Sequence, residues 1–470
     1  MRRATVIGAG PNGLAAAIVL ADAGWQVDVF EAEPQPGGAA RTLELTLPGF
    51  LHDFGSAVHP LAAGSPFFSS LPLARYGLEW IHSPSTLAHP FDDGTAITLE
   101  RDFSSNDAAL GKDGKSWHRL MEPLAANWPA LSQEILRPVH LFSRHPWLLA
   151  RFGLSALPSA NALSRFLFRE ERTKALFAGL AAHSFLSLDE PLSAGFGVLL
   201  GAAAHAVGWP IPRGGAQSIT SALCTHLTKL GAKITTSARV EKLQDLPLSH
   251  VMLCDVTPRQ LLRMTPDQLS ASYRRQLEKF RYGLGTFKAD YALSSPIPWK
   301  ARECFRAATV HLGGSAAEIT ASETAVRSGE HAERPFVLLA QPSLFDLTRA
   351  PEGKHVAWAY CHLPHGSKLD MLERLERQIE RFAPGFRDTV LARRVFSPAA
   401  LEEMDANLIG GDIGGGALDV RQFVFRPTWR HYATSARDLY LCSSSTPPGA
   451  GVHGMCGYHA ARSALSRLNK

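Results

Sequence analysis

The sequence predicts an α/β fold in which a parallel sheet, assembled from separated stretches of chain, is interleaved with a second, α+β domain. Three observations predict it. The first is a strand at Ala4–Ile7 that runs into Gly8-Ala9-Gly10-Pro11-Asn12-Gly13, an apolar helix from Leu14 to Ala23, and a second strand, Trp25–Phe30, ending on Glu31. That order, with the G-x-G-x-x-G spacing, is the fingerprint of a Rossmann-like nucleotide-binding unit. The second is another glycine turn just beyond the acid, Pro36-Gly37-Gly38-Ala39-Ala40-Arg41. The third is that strand-and-glycine signals return from Gly208, after a gap of domain length, and again from Asp438 to the final helix.

Each residue of the first turn has a mechanical task. Gly8 makes the tight turn, Gly10 lets backbone approach a diphosphate, and Gly13 lets the helix pack closely on the strand, with Asn12 in the same loop. The helix start offers unpaired N–H groups and a positive dipole end to phosphate. Glu31 is placed to accept hydrogen bonds from a ribose diol and to repel a 2′-phosphate. In the second turn Gly37 and Gly38 face phosphate, and the Arg41 guanidinium is expected to reach diphosphate oxygens bidentately.

Further on, Gly208-Trp209-Pro210 and Arg213-Gly214-Gly215 lead into a helix to Leu230 capped by Gly231, a strand over Ala232–Val240 and another over Leu248–Cys254. Asp438–Cys442 reads as the last strand, followed by a glycine-rich loop from Ser443 to Gly457 and a helix over Tyr458–Leu468. No second G-x-G-x-x-G sits between a strand and a helix, so a separate NAD(P) domain is not expected.

The second glycine turn resembles that of the glutathione-reductase-type FAD flavoproteins, in the branch that holds the amine oxidases and carotenoid desaturases. Asp53-Phe54-Gly55, His59-Pro60, Gly410-Gly411-Asp412, Arg426-Pro427 and Ser445-Thr446-Pro447-Pro448-Gly449 extend the likeness along nearly the whole chain. With them the sequence is similar to the phytoene-desaturase-related NAD(P)/FAD-dependent oxidoreductases, above all the subgroup of pyridine nucleotide-disulfide oxidoreductase domain-containing protein 2. The resemblance implies an FAD-binding Rossmann-like domain from residues 1–85, 208–270 and 420–470, and a substrate or cap domain from 86–207 and 271–419. It also implies FAD as cofactor, with Gly55 near the flavin, the backbone at Val240 near adenine, and Ser443, Gly451, Val452 and Gly454 around the ring. Ser443-Ser444-Ser445 stands where amine oxidases of the branch usually carry a carboxylate, which favours the desaturase side.

Composition narrows the partners. A net charge of +5 over 470 residues, with no block of like charges, argues against nucleic acid. The six cysteines are scattered with no C-x-x-C, which excludes a dithiol relay and predicts a reducing, cytoplasmic setting. Leu14–Ala23 is read as a fold helix and not a signal sequence, and no run of about 18 apolar residues predicts a membrane span. The stretch Val139–Phe152 with Phe166–Phe168 mixes aromatics, leucines and arginines. It is read either as an ordinary cap or as a lid touching a membrane surface, which would place the protein at the periphery of the inner membrane. Cys361-His362-Leu363-Pro364-His365 lacks a second ligand group, so no metal is expected.

Hydride transfer to or from a flavin asks the protein to position substrate, exclude water and handle one proton, so few side chains are obligatory. His59 is a candidate proton shuttle or a buried histidine; His453 either tunes the reduced flavin or holds its loop; Lys288 is either near the flavin, in the order where amine-oxidase relatives carry a lysine, or a solvated strand lysine. His183 and His205, in alanine-rich helices, are expected to be satisfied core histidines, and Arg426 meets a substrate carboxylate, the flavin or an ion pair beneath the sheet. Three functions stay open: redox chemistry on a small apolar polyene or isoprenoid, with oxygen or a quinone as electron acceptor; oxidation of an amine or polar metabolite; and a flavin-bound regulatory protein with little turnover.

Overall fold

A computed structural model describes residues 2–139 and 142–468. Strands β1 (Arg3–Ile7) and β2 (Gln26–Phe30) flank helix α1 (Pro11–Asp22). The chain then leaves that sheet to form β3 (Leu87–Pro90), β4 (Ala96–Leu99) and the cap helices α2 (Gly114–Ala125), α3 (Trp128–Ile135), α4 (Pro146–Ala156), α5 (Ala160–Leu167), α6 (Glu171–Ala182) and α7 (Ser193–Ala206). It returns with α8 (Gln217–Lys229), β5 (Lys233–Thr235) and β6 (Val251–Cys254), and departs through β7 (Gly285–Leu293), β8 (Thr309–Leu312), β9 (Val337–Ala340), β10 (His355–Leu363), β11 (Val390–Phe396) and α9 (Pro398–Met404). The last strand, β12 (Leu439–Leu441), and α10 (Met455–Leu468) complete the first sheet.

Within the described residues the first sheet is parallel in the order β12-β6-β1-β2-β5, and the second is mixed in the order β11-β7-β10-β9-β8-β3-β4. The order of the first sheet follows from its crossovers: β1 occupies the middle, with later returns adding strands on either side. Helix α1 is buried from Asn12 to Ala21 because α8 and α10 pack against it, which is why its sequence is apolar all round. Its Leu14, Ile18 and Leu20, all fully buried, each contribute roughly 1.5–3 kcal/mol of apolar burial.

In the second sheet β7 is buried over its whole length, and β10 over all but His355, so both read as mixed runs. Phe287, Ala289 and Tyr291 of β7 point into a core with Phe386, while Thr286 and Lys288 face a cavity. The strand anticipated over Ala232–Val240 stops at Thr235. Beyond it Ser237 takes φ +51° and the N–H groups of Ser237 and Ala238 turn back to the carbonyls of Glu33 and Glu31, which ends the ladder. No helix of the described residues is long and apolar enough to cross a membrane. The six cysteines are unpaired, five of them buried.

Candidate active site

A cavity of about 350 Å³ lies along the carboxyl ends of β1, β6 and β12, the crevice where parallel α/β sheets take ligands. Gly10 and Asn12 come from the β1 turn, Asp255 and Thr257 from β6, and Ser443, Ser444 and Ser445 from β12. A Cβ built on Gly10 would lie 3.0 Å from Asp255 Oδ2, and one on Gly38 would lie 3.4 Å from the Gly10 Cα. The two glycine turns therefore meet as bare backbone. Gly13 stays out of the wall and serves packing, since a Cβ there would sit 2.1 Å from the Gly8 carbonyl oxygen. Gly8 also stays out, donating its N–H to the Phe30 carbonyl at 2.8 Å. Asn12 donates Nδ2 to Ser444 Oγ at 3.3 Å and leaves its buried Oδ1 without a partner. Gly457, in the first turn of α10, is so close to α1 that a Cβ would be 1.8 Å from the Asn12 carbonyl oxygen. Two helix N-termini thus converge on one bare cradle, an arrangement that fits the diphosphate of FAD.

The supporting residues differ in detail from what the sequence predicts. Glu31 stands at the tip of β2 but outside the cavity wall, accepting from the N–H of Ala9 at 2.6 Å and of Glu33 at 2.9 Å. Arg41 is buried and turned away from the cavity. It donates to the carbonyls of Gly38 (2.8 Å) and Met404 (2.7 Å) and to Glu33 Oε2 (3.3 Å), so its fork ties the second glycine turn to α9 and makes no bidentate diphosphate clamp. Gly37 lies beneath that turn, hemmed by Arg41 Cγ and Thr220 Oγ1. Val240, expected at a strand end, is half-buried against a separate core cluster and does not line the cavity. Gly38, Gly55, Gly451 and Val452 do line it, whereas Gly454 packs on Phe68.

His59 is in the wall, with Nε2 buried and unpartnered. Burial lowers it to about 4, so it is neutral near pH 7. Lys288 is also in the wall, yet it is no solvated strand lysine: it is buried, ion-paired with Asp290 on the same strand face, and flanked by the rings of Trp358 and Phe396 at 5.7 and 5.5 Å. Burial raises the Asp290 carboxyl to about 6 against the pull of Lys288. The row of buried polar groups continues through His52, which burial keeps neutral 3.7 Å from Asp290 Oδ1, to Asp53. There burial alone would raise the carboxyl, but Arg349 at 2.6 Å and the Ala216 N–H hold it below its ordinary value.

His453 lies behind the lining residue Gly451, with its Nε2 buried and unpartnered. Its Nδ1 accepts the Met455 N–H at 3.0 Å, its carbonyl accepts from Ser65 Oγ at 2.7 Å, and the side chain stays behind the cavity wall as a start signal for α10. His205 is the expected core histidine, accepting from Trp117 Nε1 at 2.8 Å, but His183 lines the cavity and meets His311 at 3.2 Å. Arg426 does not itself line the cavity and makes no ion pair among the described residues: it is buried behind the wall and donates to the carbonyls of Gly415 and Ser444, which do line it.

Sequence reasoning passed over Asp255, Asp405 and Asn407, which close the cradle. Asp255 accepts the Gly13 N–H at 2.8 Å, and burial pushes it up to about 7, with Asp405 and Glu31 adding to the rise. Its position at the end of a parallel strand next to β1 was a usable signal. Asp405 and Asn407 had none, because a loop some 150 residues further on delivers them; Asn407 Nδ2 donates to the Asp255 carbonyl at 3.0 Å.

Residues 6–69 match the NAD(P)-binding Rossmann-like domain family. Pyridine nucleotide-disulfide oxidoreductase domain-containing protein 2 of Rattus norvegicus is 28% identical over 97% of this chain and 92% of its own length. The lycopene-forming phytoene desaturase of Pseudescherichia vulneris is 25% identical over 99% of both. The homologues of this chain thus include that domain-containing protein and phytoene desaturases. Solved structures share the fold: an oxidoreductase from Methanosarcina mazei superposes with TM-score 0.66 at 18% identity, covering 99% of this chain and all of that one. Putrescine oxidase bound to putrescine superposes at 0.61 and 16% identity, covering 100% and 99%. The chain therefore shares the fold of these structures, and FAD is the cofactor that its cradle fits.

Proposed function

We propose that the chain is an FAD-dependent oxidoreductase that moves hydride between a carbon of an apolar, polyene- or isoprenoid-like substrate and the flavin, as a desaturase, saturase or redox isomerase. The observation that carries this reading is the wall beyond the cradle, made by Val58, Phe196, Leu200, Trp209, Trp358 and Tyr360. The basic groups among them are neutral or matched: Lys288 by Asp290, and His59 and His183 uncharged through burial. Acids of the wall are Asp255 and Asp405 at the cradle, and Asp412, whose oxygens accept the N–H groups of Gly283 and Gly414 at 2.7 Å. Full-length likeness to a phytoene desaturase supports the same reading.

FAD when bound supplies the hydride acceptor or donor. The protein's own contribution is to hold the substrate carbon, keep water out with the apolar wall, and offer His59 Nε2 as a place for one proton. In the desaturase direction oxygen or a quinone takes the electrons onward, in the saturase direction a donor such as NAD(P)H must first reduce the flavin, and an isomerase returns the hydride to the substrate. A second reading, oxidation of an amine or other polar metabolite, draws on the stacked Trp358 and Tyr360, 5.5 Å apart beside Lys288.

The test is anaerobic rapid mixing of the purified protein with solubilised polyenes, with amines and with NAD(P)H. Bleaching of the flavin band by polyenes alone supports the proposal, and bleaching by amines alone replaces it with the second reading. With FAD stoichiometrically bound, no bleaching by any class identifies a protein with little turnover.

A further inference from the structure

The geometry points to the outer face of α4 and α5 as a docking surface for an anionic phospholipid bilayer, on which the protein lies without spanning it. Helix α4 is Pro-Trp-Leu-Leu-Ala-Arg-Phe-Gly-Leu-Ser-Ala, yet the only residue it buries is Ala156. Trp147 and Leu154, two turns apart and so on one side of the helix, are 85% and 76% exposed. Phe142 before the helix is 89% exposed and Phe166 in α5 is 86% exposed, with Val139 and Leu157 more than half exposed as well. Scattered apolar residues are ordinary on a surface, but this many large ones within a single short stretch make a patch.

Charge selects the occupant. Between Glu134 and Glu170 the sequence has no acid, and it carries Arg137, Arg144, Arg151, Arg165 and Arg169. Arg144, Arg151 and Arg165 are exposed beside the apolar side chains. Apolar side chains ringed by arginines suit a layer of acyl chains under negative headgroups. A second copy of the chain suits it poorly, because a two-fold interface would set arginine against arginine with no acid of the same stretch to meet them. Position adds a reason for such contact: α4 packs on α7, whose Phe196 and Leu200 line the cavity, so one helical layer separates the patch from the site. The proposal does not depend on which substrate that site takes.

The experiment is vesicle flotation of the full chain with phosphatidylcholine alone or mixed with phosphatidylglycerol. The expected result is binding to the mixed vesicles that weakens with salt and is at least about tenfold lower on phosphatidylcholine. Trp147→Ser with Phe166→Ser, and separately Arg144→Glu with Arg165→Glu, each reduce binding by about tenfold or more while the flavin spectrum and Tm stay unchanged. Failure of the unaltered chain to float with mixed vesicles overturns the proposal, as does undiminished binding by both double variants. A dimer in light scattering that the Trp147→Ser/Phe166→Ser variant dissolves also overturns it, and makes the patch a self-interface.

Discussion

Lys288 and Asp290 show how strongly a pair of residues depends on its surroundings. Two positions apart on one face of β7, both are buried and each neutralises the other. Lys288→Met leaves a buried carboxylate unpaired and should cost about 3 kcal/mol in urea unfolding, with Lys288→Met/Asp290→Asn recovering most of it. The single variant should also slow flavin reoxidation by oxygen with FAD retained; an unchanged rate would remove Lys288 from the redox chemistry. Asp255 supplies a second test. Its carboxyl, raised to about 7, is neutral below that pH and charged above it, and a bound diphosphate opposes the charged form. FAD affinity should therefore fall, by roughly tenfold, as pH rises through about 7. Fluorescence titration of the apoprotein reads this directly, and Asp255→Asn should flatten the profile. Gly10, Gly38, Asn12 and His59 were legible as wall residues because local spacing carries them there. Arg41 and His453 were legible as important but not in role, since their partners, Met404 and Ser65, lie far along the chain.

Among the elements, α1 was readable because its apolar run, glycine start and glycine stop agree. Strand β5 was over-read because alternation continued after Thr235, and nothing local reveals that the backbone bends back to Glu31 and Glu33. Contact distance decides which glycines matter. Gly13→Ala drives a Cβ into the Gly8 carbonyl and should cost more than about 2 kcal/mol, with loss of flavin on gel filtration. By contrast, a Cβ at Gly153 in α4 meets nothing within 4 Å, so Gly153→Ala should raise stability by about 0.5–1 kcal/mol. Retained flavin in the first variant would refute the close packing of β1 and α1.

Across the whole molecule, histidines that burial keeps neutral set the acid limit. His59, His89, His205, His453 and His459 are lowered to about 4, and His52 and His183 to about 3, from an ordinary 6.5. The unfolded chain takes up protons below pH 6.5 that the folded one refuses until about 4. Stability is thus full above 6.5 and lost progressively as pH falls toward 4, which a Tm series across that window measures; a flat Tm would show that these rings gain water or partners. Added FAD should raise Tm with the logarithm of its concentration, because it binds the folded state alone. The sequence by itself determined the parallel sheet, the dinucleotide turn and the return of the chain for its later strands, all of which rest on short-range spacing of glycines, apolar residues and one acid. Only the tertiary structure decided which side chains share the cavity. Asp255, Asp405, Lys288 and His183 meet there because crossovers between two interleaved sheets bring together residues up to 222 positions apart, a distance over which local propensity carries no information.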